Sequence, residues 1–431
     1  MARLALFGDL LDFTDDPGLD DPGAPSVRFR ENHWLLIEDG RIAGVQAQLP
    51  DASWAREDHR GRLILPGFID THVHSGQLDV IGAWGTALLD WLETHTFPAE
   101  RRMADPAHAQ QVSAMFLDAL LATGTTTAAV FPTVHAVSVD ALFSEAEARG
   151  MRLIAGKVLM NRHAPDFLVD DVEQAERDCV ALIQRWHGRG RLAYAVTPRF
   201  APTSTDEQLA MAGRLLASAP GLYMQTHVAE NTDEVRWVAE LFPQARSYLD
   251  VYARHGLLSE RAIFAHGIWL DEADRMALHE AGAQVAHCPS SNLFLGSGLF
   301  DWPAVRAAGV NVSFGCDVGG GTSLSMLRTM GDAYKVQALR GGRLTAWASL
   351  YTATLGGARA LGLAHEIGHF GVGTLADVAV WDWAHGPVAQ RRQAVARDLH
   401  DRAFAWMTLG DDRYLAATYV AGHCRYRREA S

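Results

Sequence analysis

The sequence predicts an α/β fold, a (β/α)8 TIM-like barrel with a small composite β-sandwich domain drawn from both chain ends. Three observations carry this. Eight short apolar runs alternate with helical stretches through the middle of the chain. The runs are nearly continuous in apolar residues, as parallel strands buried on both faces must be. The strand-like segments at the two ends are each too small to bury a core, so they are expected to pair with one another.

The first segment, residues 1–63, contains HWLLIEDGRIAGVQ, two apolar runs around Asp-Gly, which marks a tight hairpin. The barrel segment, residues 64–370, opens on RLILPGFIDTHVH (Arg62–His74), read as one strand. TTTAAVF (Thr125–Phe131), MRLIAGKVL (Met151–Leu159) and RLAYAVTPR (Arg191–Arg199) supply the next three. LYMQTHV (Leu222–Val228), RAIFAHG (Arg261–Gly267), AQVAHCP (Ala283–Pro289) and VNVSFGCD (Val310–Asp317) complete the set. Between strands, DPAHAQQVSAMFLDALLATG and SVDALFSEAEARG read as helices stopped by glycine, and TSTDEQLAMAGRLLASAPG as a further helix. The last segment, residues 371–431, carries GTLADVAVWDW and ATYVAGHCRY, again strand-like. The competing architecture is an open doubly wound sheet, but no Gly-rich nucleotide turn follows the first strand.

Composition narrows the function. Hydrophobic residues at 48% and charged residues at 21% are ordinary for a globular enzyme. A net charge of −13 argues against a nucleic-acid partner, because phosphate contacts need clustered Lys and Arg. The four cysteines are scattered without C-x-x-C, so no disulfide framework or cysteine zinc site is expected, and all four read as small buried hydrophobes. No apolar run approaches the roughly 18 residues that span a bilayer. The N-terminal apolar run is short and turns acidic at once, so a cytoplasmic location away from membranes is expected.

Chemistry in such a barrel sits at the C-terminal strand ends. His72 and His74 end the first strand, His227 the fifth, His266 the sixth and Asp317 the eighth, so five metal-competent residues meet on one rim. His72 and His74 lie two apart and share a strand face. A His-x-His pair arises easily by chance in a chain with 19 histidines; the shared placement is what separates this set from ordinary rim residues. Three imidazoles and one carboxylate suit zinc or ferrous iron with a position left open.

Glu230, three residues past His227, is placed to act as a general acid and base over the pocket. It could equally open a helix, since ENTDEVRW reads as a helix start. Arg199 and Phe200 follow the fourth strand; an arginine can hold a carbonyl oxygen and a phenyl ring can stack on a flat heterocycle, although an ion pair and a packed aromatic are the plainer readings. Gln77 offers an amide that both donates and accepts. WGTALLDWLETHTFPAERR (Trp84–Arg102) is a long aromatic segment expected to shape the mouth, with no chemical role given to Glu93 or His95. HCPSSNLFLGSG (His287–Gly298) is expected to line the pocket.

PGFIDTHVH, THVAEN, FAHG, HCPSSN and the aspartate after SFGC together resemble the amidohydrolase superfamily, in its mononuclear deaminase branch. HVHSGQLDVIGAWGTALLDWLETHTFPAERR, TTTAAVFPTVH, TPRFAPTS, SNLFLGSGLF and MTLGDDR narrow the resemblance to the guanine deaminases of that branch, over residues 25–428. The resemblance implies a barrel with a composite β-sandwich, one Zn2+ (Fe2+ being the alternative) and a homodimer. It implies that His72, His74, His227 and Asp317 hold the metal, and that His266 stands near metal or substrate as a catalytic residue beside Asp317. It implies that Gln77, Arg199, Phe200 and His227 contact guanine, and that Glu230 is the proton shuttle. Binuclear relatives carry a lysine at the end of the fourth strand; AVTPRF has none, which favours one metal. Other zinc nucleobase deaminases carry P-C-x-x-C, absent here. Hydrolysis of guanine to xanthine and ammonia is the activity expected. A deaminase of triazines, pterins or adenosine-like nucleosides is the alternative, and a non-catalytic scaffold is disfavoured by the complete ligand set.

Overall fold

The computed structural model describes residues 2–84 and 88–429. The N-terminal strands are β1 (Arg3–Phe13), β2 (Val27–Glu38), β3 (Arg41–Gln46) and β4 (Ala55–Pro66). The central strands are β5 (Phe68–His74), β6 (Thr125–Phe131), β7 (Arg152–Ala155), β8 (Val158–Leu159) and β9 (Leu192–Pro198). They continue as β10 (Tyr223–Val228), β11 (Ala262–His266), β12 (Gln284–His287) and β13 (Asn311–Phe314). The C-terminal strands are β14 (Val378–Asp382), β15 (Leu415–Val420) and β16 (His423–Arg427).

Packing divides the chain into two compact units. The first comprises Met1–Asp70, Asp118–Thr127 and Leu324–Ser431. Its seven-stranded sheet runs β16-β15-β14-β4-β1-β2-β3, so both chain ends do share one sheet. The join is β14 running antiparallel to β4. The hairpin between β2 and β3 turns on Asp39 and Gly40, with φ of 48° and 79°, the left-handed pair a tight hairpin needs. Leu6, Leu10, Leu35, Ile64, Val378, Val380 and Tyr419 belong to one apolar cluster, so strands from both ends bury each other's side chains. The N-terminal RLALFGDLLDF, not read as a strand from sequence, is the eleven-residue β1 between β4 and β2. Residues 324–370 pack in this unit; Tyr334 of helix Met326–Leu339 meets Phe404 of helix Leu399–Leu409 edge-on at 4.9 Å. These limits follow packing, whereas limits at 63/64 and 370/371 follow strand character.

RLILPGFIDTHVH is not one strand. The Gly67 N–H bonds to the Asp377 carbonyl and the Phe68 N–H to the Gly124 carbonyl, so the partner changes between adjacent residues and β4 gives way to β5. MRLIAGKVL likewise breaks into β7 and β8.

The second unit comprises Thr71–Leu117 and Ala128–Ser323. The C-terminal ends of all the central strands lie in it. Those strands run β5-β6-β7-β9-β10-β11-β12-β13, with β8 also on β9. The last strand returns to the first: the Asp317 N–H bonds to the His72 carbonyl and the His74 N–H to the Val318 carbonyl, each at 2.9 Å. This nearly closed parallel barrel is the (β/α)8 architecture expected. Strands β5, β6, β9, β11 and β12 are buried at every position, which is why they read as unbroken apolar runs.

Of the cysteines, Cys179, Cys288 and Cys316 are buried as expected, but Cys424 is exposed. It stands on β16, the edge strand of its sheet, which is exposed at four of its five positions.

Candidate active site

Four side chains from two strands, β5 and β10, and the turn after β13 meet first. One ligand atom each from His72, His74, His227 and Asp317 lies within 4.8 Å of the others. Nε2 of His72 and Nε2 of His74 both stand 3.2 Å from Asp317 Oδ1. His227 Nε2 faces His74 Nε2 at 3.3 Å. The Arg199 carbonyl, 2.7 Å from His227 Nδ1, can only accept, so Nδ1 carries the ring proton and a neutral His227 presents its Nε2 lone pair. Burial drives His227 well below the ordinary imidazole pKa and brings His72 down to about 4, so both are neutral at pH 7. Neutral imidazoles turned toward one another around a carboxylate fit a divalent cation, whose ligands must be deprotonated. Burial opposes the charge on Asp317, yet His72, His74 and His266 outweigh it and hold this carboxyl well below the usual range. Phe131, at the end of β6, contacts His72, His74 and His227 with ring centroids 4.9 Å away in each case, giving the cluster an apolar floor.

Backbone geometry serves the same convergence. His266 and Asp317 adopt φ of 69° and 51°, uncommon for residues with a side chain, and both sit where the chain leaves a strand end. Gly315 permits the approach of β5: a Cβ there would lie 2.6 Å from His72 Cβ.

A second set of titratable groups stands beside the cluster. His266 Nε2 lies 3.5 Å from Glu230 Oε2 and 3.7 Å from Asp317 Oδ2. Its Nδ1 lies 2.8 Å from Asn292 Oδ1, which as an acceptor assigns the proton to Nδ1. Burial disfavours the imidazolium, but Glu230 and Asp317 outweigh it and raise the His266 pKa. Glu230 accepts a 2.8 Å hydrogen bond from the Ser297 hydroxyl. Burial pushes its carboxyl up to about 7, against the opposing pull of His266. The helix start at ENTDE belongs to other residues. Asn231 caps helix Thr232–Leu241, and Glu234 closes the capping box by accepting from the Asn231 N–H. Glu234 also accepts from the Glu230 N–H and the Tyr248 hydroxyl, which leaves the Glu230 side chain to the pocket.

These groups open on a small cavity lined by His74, Gln77, Arg199, Phe200, Glu230 and Asp317, among others. Leu88, Trp91 and Leu92 cover it from the Trp84–Arg102 segment, of which residues 85–87 lie outside the described residues. From Leu88 on the segment is helical, Leu88–Trp91 and Phe97–Arg101 flanking a π-helical turn at Leu92–Thr96.

The amidohydrolase family model matches residues 63–424. Guanine deaminase of Escherichia coli K12 is 46% identical over 430 residues, which is 98% of each chain. The solved structure of E. coli guanine deaminase is similar with a TM-score of 0.95, 44% identity and full coverage of both chains. A guanine deaminase from C. acetobutylicum, solved with guanine bound in its active site, gives a TM-score of 0.89 at 26% identity, covering 98% of this chain and all of that one.

The chain belongs to the amidohydrolase family. Every residue selected from the sequence as a candidate ligand, proton carrier or substrate contact of this amidohydrolase falls in the second unit and around one centre. Sequence reasoning missed Phe131, Glu100, Glu234, Asn292 and Ser297. Asn292 and Ser297 stood inside a segment expected to line the pocket, and Glu100 inside one expected to shape its mouth. Their partners lie 26, 67 and 99 residues away, so no local spacing could single them out.

Proposed function

We propose that the chain hydrolyses guanine to xanthine and ammonia using one zinc ion held by His72, His74, His227 and Asp317; ferrous iron is the other ion these donors suit. The observation that carries it is a single cavity in which this donor cluster faces a carboxyl poised near neutrality and a buried arginine. The near full-length identity to a guanine deaminase supports the substrate. When bound, the ion makes water acidic enough to supply a nucleophile near neutral pH.

Asp317 Oδ2, turned toward His266, takes one proton from the attacking water, whose oxygen bonds to C2 of guanine. The protonated Glu230 carboxyl delivers its proton to the adjacent ring nitrogen N3, preventing charge from building there. Asp317 then passes its proton to the exocyclic amine, the C2–N bond breaks and ammonia leaves. Glu230 takes the proton of the C2 hydroxyl as the carbonyl forms, and both carboxyls return to their starting states. Arg199 holds the O6 carbonyl, and Phe200 packs on the purine face. Adenine would place an amine against the same cation, and each buried group left unpaired costs about 1–3 kcal/mol.

Among the described residues no helix is long and apolar enough to cross a membrane; we place the enzyme in the cytoplasm, as a homodimer. Incubating metal-replete protein with guanine should yield equimolar xanthine and ammonia. No product from guanine, with turnover of a triazine, pterin or adenosine-like nucleoside instead, would replace the substrate. Turnover of adenine at the guanine rate would remove Arg199 from its role.

A further inference from the structure

Glu100 is a fully buried carboxylate for which the reaction leaves no task. Both its oxygens accept from Arg199 Nη1, at 2.9 and 2.8 Å. Oε1 also accepts from Gln77 Nε2 at 2.9 Å. Phe97, three residues earlier on the same helical turn, places its ring 5.4 Å from the same guanidinium. Residues three apart share a helix face, so one turn brings both a carboxylate and an aromatic surface to Arg199.

The other end of the Gln77 amide accepts from the Gly319 N–H at 3.0 Å. A carboxylate can only accept and a peptide N–H can only donate, so Gln77 has one admissible orientation. Its amide still has a second N–H and a second carbonyl lone pair to offer. Arg199 and Gln77, both long and rotamer-rich, are thus held by one carboxylate before any ligand arrives, and both line the cavity.

We propose that Glu100 is a positioning residue that sets Arg199 and Gln77 as a fixed recognition pair for the 6-oxo edge of a 2-aminopurine. This rests on the guanine reading above. Glu100 touches no substrate atom in this role. It removes the ordering that two flexible side chains would otherwise undergo on binding, and it favours purines with an oxygen at C6 over purines without one.

The test is steady-state kinetics of wild type, Glu100→Gln and Glu100→Asp. Guanine is the substrate, 2-aminopurine, which lacks the 6-oxygen, is the competing ligand, and metal content is measured on each sample. In Glu100→Gln one acceptor becomes a donor facing Arg199 or Gln77. Its guanine KM should rise about tenfold or more, with kcat, 2-aminopurine inhibition constant and metal content each within about threefold of wild type. Glu100→Asp keeps the charge one methylene short and should fall between the two. If Glu100→Gln does not fold, the same ratio is read from Glu100→Asp. Equal loss of affinity for both purines, or a guanine KM unchanged in the folded variants, overturns the proposal. Wild-type protein that makes no xanthine overturns the guanine reading and this inference with it, whereas active wild type with unmoved variants overturns this inference alone.

Discussion

Replacing Glu230 by glutamine tests the proton pathway most directly. The amide has the same shape and can still accept from the Ser297 hydroxyl that now holds Glu230 at 2.8 Å. It cannot give a proton to N3 or take one from the C2 hydroxyl. General acid–base catalysis contributes typically ~10²–10⁴-fold. In the proposed pathway the same carboxyl serves two steps, and burial holds its pKa at about 7, where protonated and ionised forms are both populated at neutral pH. The loss in kcat is therefore expected at the top of that range, ~10⁴-fold or about 5 kcal/mol. The substitution leaves His72, His74, His227 and Asp317 in place, so metal content should not change. The assay follows guanine absorbance and released ammonia, with metal per chain measured on the same sample. A metal-replete Glu230→Gln protein within about tenfold of wild-type kcat would refute the assignment.

Three further outcomes follow from the geometry. The folded pKa of Glu230 lies above its ordinary value of 4.5, so the folded chain binds more protons than the unfolded one up to about pH 7, and stability falls as pH rises through that window. In chelator-treated protein, Glu230→Gln should therefore gain up to about 3 kcal/mol above that window and nothing below it, checked by urea titration at both ends; equal gains would contradict the burial argument. Ser297→Ala removes a bond to the ionised form of Glu230, so the basic limb of the kcat/KM profile should move to higher pH. A limb that stays put would show that the serine does not tune this carboxyl. Lys157, buried and bonded to Asp170 at 2.5 Å, lies apart from the chemistry. Lys157→Met strips the largely buried Asp170 carboxylate of its charged partner, leaving it the Met160 N–H at 3.3 Å, and should cost about 3–5 kcal/mol in urea unfolding; a loss under about 1 kcal/mol would mean the pair is solvated.

Elements and candidate ligands were legible because each leaves a local signature. Buried parallel strands read as apolar runs, Asp39-Gly40 as a hairpin, and His72 with His74 as a same-face pair at period two. Barrel topology does the rest, since strand ends distant in sequence must share one rim. The break between β4 and β5 was not legible, because both sides are apolar and only a change of hydrogen-bond partner separates them. β1 was passed over for a similar reason: an apolar run in isolation does not say which strand it will join.

Local patterns in the chain suffice for the barrel, for the pairing of strands from both chain ends, and for which side chains meet at the centre. The tertiary structure alone decided how those side chains are held. Glu100 is bound to Arg199 across 99 residues, Gln77 to Gly319 across 242 and Glu230 to Ser297 across 67. A hydrogen bond between distant segments imposes no period on either, so its donor and acceptor become visible only when the chain has closed around them.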